Sequence, residues 1–382
     1  MLKLDPATKY LLSRPRGGLN DVLVQLEKSR RYAARFQRVL ILDLTRSGMR
    51  MGFDALFTAR DYFGCDLIVW TPAMGPVLDQ CPSVFPAPLT GRVSAYTANW
   101  HTDGKQYCDA ETAHPVNFDH HIDYSEQLLI YEQAGGGSVS LCALRHLCFS
   151  TEVANQVARR LIPIGTGYDA VHVRHTDYET DYEMLFEKSA AMFHRRRLLV
   201  CSDSKKVKDY AESCFGPTTE LISVSSFPDL NGEPLFMSDK IAPHDAAVDL
   251  LSDLIAMARS DVFLFAGLQS NRYTVKYSGF SILAEVLRQE PATIRSLFAN
   301  ADPQLLKDMF ETRPVQNGNG LQRQAWELRS WFFRVGQWRW NYKARHTSWR
   351  LKRRLRRNPG MLGEISPLYR EQPAGFASTT TP

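Results

Sequence analysis

Tyr168-Asp169-Ala170-Val171-His172-Val173-Arg174-His175-Thr176-Asp177 begins as an apolar run and ends in a cluster of basic, imidazole and acidic side chains. The run reads as a buried strand, and the cluster as the corner where the chain leaves the sheet. In open parallel sheets ligands gather beyond the carboxyl ends of the strands. An arginine at such a corner can grip a phosphate through two parallel charge-assisted hydrogen bonds. The same residues allow a structural alternative, in which Arg174 forms an ion pair with Asp177.

On the C-terminal side of this strand, helical and strand patterns alternate: Asp181 to His194 helix, Arg197 to Cys201 strand, Ser204 to Phe215 helix, Glu220 to Val224 strand, His244 to Ala258 helix, Val262 to Phe265 strand and Ser278 to Leu287 helix. Short connections between them predict a parallel doubly wound sheet. Tyr10 to Asp43 reads as a separate βαβ unit. Tyr10-Leu11-Leu12-Ser13 is a strand, Arg14 to Gly18 breaks it, Leu19 to Phe36 is a helix with Leu19, Val22, Leu23 and Leu26 at helical spacing, and Val39-Leu40-Ile41-Leu42 is a second strand. Leu67 to Trp70 reads as a further strand, Thr71 to Arg92 as a surface loop rich in Pro and Gly, and Ser94 to Ser138 as loops and short strands. Gly135-Gly136-Gly137 breaks the chain, and Leu141 to Leu161 reads as one helix linking two halves. The expected organisation is an α/β protein with residues 1–150 and 151–300 as two Rossmann-like domains facing a cleft, a basic helical segment at 301–360 and a disordered tail at 361–382.

The 382 residues, 44% hydrophobic and 23% charged, suit a soluble globular protein large enough for two domains. The net charge of +5 is unevenly spread: Gln322 to Arg357 holds twelve Lys and Arg against Glu327 alone, leaving the remainder acidic. Seven cysteines include no CxxC pair and leave one over, which argues against a zinc ribbon and a secreted disulfide framework. Without a signal-peptide pattern or a membrane-length apolar run, the expected location is cytoplasmic.

Four strand ends carry polar or small residues: Arg16-Gly17-Gly18-Leu19-Asn20, His172 to Asp177, Ser202-Asp203-Ser204, and Gly267-Leu268-Gln269-Ser270-Asn271. Glycines leading into a helix let backbone N–H groups approach a phosphate. Gly17-Gly18 is neither GxGxxG nor a Walker A loop, and Ser202-Asp203 could equally cap the next helix. As a set, in this order, the segments resemble the GDP-fucose-dependent fucosyltransferases of the α1,6, nodulation and protein-O-fucosyl type. His172 to Asp177 is similar to their His-x-Arg-Arg-Thr-Asp signature, and Leu199-Val200-Cys201-Ser202-Asp203-Ser204 to the strand of their second motif. Asp249-Leu250-Leu251 through Asp261-Val262-Phe263, with Gly267 to Asn271, resembles the third, followed by Ser278-Gly279-Phe280-Ser281. Gly17 to Asn20 resembles their N-terminal Gly-rich loop.

The resemblance implies a GT-B fold and a metal-independent, inverting glycosyltransferase with no cofactor. It would transfer fucose from GDP-fucose to a glycan or lipid-linked saccharide in polysaccharide biosynthesis. It also implies roles. Arg174 would stabilise the leaving diphosphate, with His172 beside the nucleotide or sugar and Asp203 on the base or ribose. Gln269, Ser270 and Asn271 would hold phosphate, and Asn20 with Gly17 and Gly18 would reach the pyrophosphate from the facing domain. His175, Asp177 and Ser202 complete the expected donor site. The chain departs from the pattern at His175, where the family has a second Arg, and at Ser204, where it has a second Asp; both changes leave another nucleotide sugar open as donor. The acceptor's base could be Asp21, Asp43, Asp119 or Asp123.

Other readings use other residues. A catalytically silent sugar-nucleotide-binding protein would share the fold. Phe118-Asp119-His120-His121-Ile122-Asp123 is similar to the Asp-His-His motif of a metal-dependent phosphoesterase family, but Asp43 stands alone at the strand end where that family needs a second carboxylate. Trp331, Trp338, Trp340, Tyr342 and Trp349 interleave the basic C-terminal stretch. Residues 331–357 could seat the protein on an anionic inner membrane face or pack a helix on the core with a solvated basic face; nucleic acid is not an expected partner.

Overall fold

The computed structural model describes residues 4–311, apart from 136, 138, 217, 226–232, 234–237 and 270–276. The expected basic aromatic segment and the tail therefore lie outside the described residues, as do Ser270 and Asn271.

Two parallel sheets organise the described chain, as expected for a GT-B fold. The first has five strands in the order Leu67–Val69, Val39–Leu42, Tyr10–Ser13, Leu128–Tyr131, Val84–Phe85. The second has four, in the order Glu220–Ile222, Arg197–Ser202, Asp169–Val173, Phe263–Phe265. Every pairing within these two sheets is parallel, with Asp169–Val173 held between Arg197–Ser202 and Phe263–Phe265. Such strands are covered on both faces, which is why they appear in the sequence as unbroken apolar runs.

Alternation sorts the first sheet's side chains. Leu11, Leu40, Leu42 and Leu129 face a large core to which the second sheet contributes Ala170, Leu199 and Phe263, so one apolar core is continuous across both sheets. Tyr10, Leu12, Ile41, Leu128 and Ile130 face the opposite side. There the segment from Thr71 to Arg92, expected as a surface loop, instead folds into short helical turns Pro72–Met74, Gly75–Asp79 and Ala87–Leu89 and the edge strand Val84–Phe85. It buries Leu78, Cys81, Val84 and Leu89 against the sheet. Prolines set its turns without a repeating pattern, so its apolar content carried the information.

Among the short strands expected between Ser94 and Ser138, Leu128–Tyr131 is fully buried and pairs with Tyr10–Ser13 and Val84–Phe85 in the first sheet. One further expectation is corrected. The helix expected over Leu141 to Leu161 is two helices, Ser140–Arg145 and Thr151–Leu161, separated by the strand Leu147–Phe149, which pairs antiparallel with Phe57–Ala59. Leu141, Leu144 and Leu147 continue a helical spacing, which hid the interruption. Ser150 caps the second helix by accepting from the Val153 N–H at 3.3 Å.

Helix Leu19–Arg35 carries the first sheet toward the second. It packs on the first sheet's strands and also touches helices Ser140–Arg145 and Gly279–Arg288. Contact on several sides explains why Asn20, Gln25 and Glu27 are buried along with its apolar stripe.

Candidate functional site

Segments following strands of both sheets meet around one cavity of about 610 Å³. From the first half come Gly18, Asn20 and Asp21, with Met49 and Arg50; from the second, His172, Arg174, Ser202, Asp203, Asp253 and Ser278. The expected residues Gly18, Asn20, His172, Arg174, Asp177, Ser202 and Asp203 thus line one space. Gly17, His175 and Gln269 do not line it.

Arg174 follows strand Asp169–Val173. Its Nε donates to Asp177 Oδ1 at 2.7 Å and its Nη2 to Oδ2 at 2.6 Å, and the guanidinium lies 5.0 Å over the Tyr178 ring. The structural ion pair is therefore real, and it sits in the cavity wall. A carboxylate here occupies the two-pronged geometry that a phosphate's oxygens would take.

His172 is buried one pleat deeper, with Nδ1 2.6 Å from Ser281 Oγ and its ring edge-on to Phe280. Burial, and then the positive charge of Arg174, push its imidazole down to about 3. It is a neutral hydrogen-bonding wall, not an acid or base near neutral pH. His175 turns away from the cavity: its Nδ1 meets Thr180 Oγ1 at 3.0 Å and its ring packs against Tyr182.

Asp203 ties two strand ends together. Its Oδ1 accepts the His175 N–H at 3.2 Å and its Oδ2 the Thr176 hydroxyl at 2.7 Å. Burial raises its carboxyl, against those two hydrogen bonds. Ser202 Oγ accepts the Ser204 N–H at 3.2 Å, fixing the turn into helix Lys205–Phe215. Gln269 is exposed in a two-residue strand paired with Glu179–Thr180, while its neighbour Leu268 reaches the cavity.

From the facing sheet, Gly18 caps helix Leu19–Arg35 and exposes its amino end to the cavity. Gly17 holds a φ of +86°, and a Cβ there would lie 2.6 Å from Asp21 Oδ2. Glycine is needed for both the turn and the approach of Asp21. Of the four base candidates, Asp21 alone lines the cavity. Burial raises its carboxyl, while the charge of Arg174 opposes the shift from across the cavity. Asp43 is locked by Arg14 Nε at 2.9 Å with both side chains buried; Asp119 closes a turn through the His121 N–H at 2.8 Å, and Asp123 pairs with Lys9 at 3.2 Å.

Of the Asp-His-His stretch, His120 serves packing while Asp119 and His121 are exposed. His120 stacks on Phe118 at 4.8 Å and stands edge-on to Tyr131 at 4.9 Å. Burial, then the charge of Lys28, push its imidazole down to about 4. Among the described residues, no group of three or more His, Cys, Asp or Glu is placed to hold a metal ion, and no helix is long and apolar enough to cross a membrane.

Two site residues escaped the sequence reading. Asp253 sits mid-helix in Pro243–Arg259, buried at the cavity wall; Ser225 Oγ donates to its Oδ2 at 3.0 Å, and its Oδ1 has no hydrogen-bond partner. Burial pushes its carboxyl up to about 6. Asp249, the first residue of the stretch that resembles the third motif, is paired with Arg160. An acid inside Leu250-Leu251-Ser252-Asp253-Leu254-Ile255 was the available signal, since a charge on a buried helix face needs a reason. Ser278, buried with its hydroxyl unpartnered, precedes helix Gly279–Arg288, whose amino end also opens on the cavity. A Cβ on Gly279 would fall 2.6 Å from Asn20 Nδ2, so this glycine lets the two halves close together.

No family model matches the chain, and no curated protein matches it. Solved structures similar to it include the fucosyltransferase NodZ from Bradyrhizobium, at 16% identity and a TM-score of 0.44, covering 73% of this chain and 93% of that one. NodZ α-1,6-fucosyltransferase soaked with GDP-fucose gives 17% identity and 0.45, covering 73% and 92%. POFUT1 in complex with GDP-fucose gives 12% identity and 0.42, covering 75% and 96%.

Proposed function

We propose that the protein is an inverting glycosyltransferase that takes fucose from GDP-fucose and delivers it to a saccharide hydroxyl. The observation that carries this reading is Arg174, its guanidinium fork on the wall of a cavity that Asn20 and Asp21 of helix Leu19–Arg35 also line. A volume of about 610 Å³ falls in the range of sites that enclose a small organic ligand. Helices Leu19–Arg35, Pro243–Arg259 and Gly279–Arg288 all bring their first residues to it, and helix amino ends favour anions.

In the reaction, the bond between the sugar's anomeric carbon and the β-phosphate oxygen breaks as the acceptor oxygen attacks from the opposite face. Negative charge grows on the departing diphosphate. Arg174 and the helix amino ends stabilise that growth, which lowers the barrier because it is strongest in the transition state. Asp21 takes the acceptor proton; burial raises its carboxyl, which makes it a better base than an ordinary aspartate. The Asp253 carboxylate on the cavity wall supports guanine, whose N1–H and N2–H groups can both donate to one carboxylate. Uracil and adenine lack that adjacent pair.

A thermal-shift screen against GDP, UDP, ADP and CMP, each with and without its sugar, tests the donor. Stabilisation by GDP and GDP-fucose, with release of GDP from the latter, is expected. A larger shift with another nucleotide would redirect the donor assignment, and stabilisation without turnover would favour a silent sugar-nucleotide-binding protein.

A further inference from the structure

We propose that Arg50 is a second anion-gripping residue of the cavity, brought from the first half of the chain to the donor's diphosphate, with the exposed carboxylate of Asp239 standing in for a phosphate oxygen. This role rests on the transferase reading above and deepens it with a donor contact that Arg174 does not supply.

Arg50 ends the loop that leaves strand Val39–Leu42. The Ser47 hydroxyl donates to the Leu44 carbonyl at 2.6 Å and accepts the Met49 N–H at 3.1 Å. The Gly48 N–H donates to the Gly17 carbonyl at 2.9 Å. The loop therefore rides on the turn that presents Gly18, Asn20 and Asp21 to the cavity, and Arg50 lines the same space. Arg50 holds a φ of +52°, a left-handed conformation uncommon outside glycine. Strain of that kind persists where the surrounding structure fixes it, and it collects at ligand sites.

The guanidinium is poorly matched to a purely structural role. Its Nη1 donates to Asp239 Oδ1 and its Nη2 to the Ile241 carbonyl at 3.3 Å. The Asp239 side chain is 96% exposed, and solvent leaves such a pair little strength. Nε is buried with no hydrogen-bond partner among the described residues, a donor whose desolvation the fold does not offset. A phosphate oxygen would satisfy it. Position also favours an anion, since Ile241 lies just before Pro243, which opens helix Pro243–Arg259 and lines the cavity; Arg50 thus stands beside a helix amino end. Charge supplies the need. Arg50 and Arg174 are the two cations among the described lining residues, against Asp21, Asp177, Asp203 and Asp253. A diphosphate that enters among those carboxylates meets repulsion that one guanidinium does not cancel.

The test measures binding of GDP, guanosine and inorganic pyrophosphate to the full chain by calorimetry, with saturation-transfer NMR for guanosine. It compares wild type with Arg50→Ala, Arg50→Gly and Asp239→Asn. The Kd for GDP should rise about tenfold or more in both Arg50 variants, while that for guanosine stays within about threefold. Glycine relieves the left-handed backbone, so the Tm of Arg50→Gly should not fall and its lost affinity cannot reflect misfolding. Asp239→Asn should bind GDP at least as tightly as wild type, because a competing carboxylate is gone. Unchanged GDP affinity in Arg50→Gly overturns the proposal and leaves the donor reading standing. A loss shared by guanosine, or an equal loss in Asp239→Asn, also overturns it, because either marks an ion pair that acts only by holding the chain in place. A wild type that ignores GDP but binds pyrophosphate through Arg50 upholds the anion site and rejects the donor reading; one that binds none of the three rejects both.

Discussion

Replacing Arg174 with alanine separates a structural ion pair from a diphosphate clamp, because the two predict losses in different quantities. The Arg174 and Asp177 side chains are 27% and 29% exposed, so solvent screens their attraction and the pair contributes about 1 kcal/mol to folding at most. For a chain of this size that is a fall of about 2 °C in Tm. As a clamp, the guanidinium supplies transition-state stabilisation of about 3–4 kcal/mol, equivalent to a drop of about 10²–10³ in kcat. The assay is GDP release from GDP-fucose at saturating donor, with GDP affinity measured separately by calorimetry. Arg174→Lys keeps the charge and loses the two-pronged geometry, so its turnover should fall between wild type and Arg174→Ala. Turnover within about tenfold of wild type in Arg174→Ala would refute the clamp. A collapse of Tm by about 10 °C accompanying lost turnover would assign Arg174 to structure.

Four further outcomes are expected. Burial lifts the folded-state pKa of Asp21 above its unfolded value, so the native state holds more protons between those two pKa values and stability falls as pH rises through that interval; Asp21→Asn should raise Tm at pH 7 but not at acid pH, erase the acid limb of the rate profile and cut kcat by about 10²–10⁴. Asp253 titrates at about 6, so GDP affinity should decline as pH drops through that value, and Asp253→Asn should weaken GDP about tenfold or more at pH 8 while flattening the decline. His120, with its pKa pushed down to about 4, stays neutral in the fold while the unfolded chain protonates near 6.5; its share of stability is complete above that value and lost as pH falls from there toward 4. His120→Phe should therefore narrow the gap in Tm between pH 7 and pH 5 and leave turnover intact, whereas a metal ligand would lose activity. Gly279→Ala should weaken GDP about tenfold by displacing Asn20, and adding Asn20→Ala should cost nothing more, a non-additivity read from a double-mutant cycle.

Legibility followed burial and sequence separation. Tyr10–Ser13, Val39–Leu42, Asp169–Val173 and Arg197–Ser202 are covered on both faces, so their apolar runs announce strands without any need for their partners. Leu128–Tyr131 is just as apolar, but its partner is Tyr10–Ser13, more than a hundred residues away, and it follows a stretch of turns and a hairpin that gave no regular spacing to count from. Leu147–Phe149 was masked by helical spacing on both sides. The site was legible where chemistry falls at strand ends, as at Arg174, Ser202 and Asp203. It was not legible where tertiary packing decides: only the fold turns His175 outward, selects Asp21 over Asp43 as the carboxylate in the cavity, and rotates Asp253 rather than Asp249 to the wall.

The carboxylates of this cavity constrain how an anion can enter it. Asp21, Asp177, Asp203 and Asp253 all line the space around Arg174, an arrangement that would repel a diphosphate if each charge were free. Each is instead committed. Asp203 receives the His175 N–H and the Thr176 hydroxyl, Asp177 holds the fork of Arg174, Asp21 lies within the fields of Arg174 and Lys28, and Asp253 accepts from Ser225. Of these, the Asp177 contact is the one whose geometry a phosphate can reproduce, through the same Nε and Nη2 donors. In the proposed reaction a diphosphate would take the Nε and Nη2 donors that Asp177 holds in this structure, and Asp177, already 29% exposed, would be left where a charged aspartate is least costly.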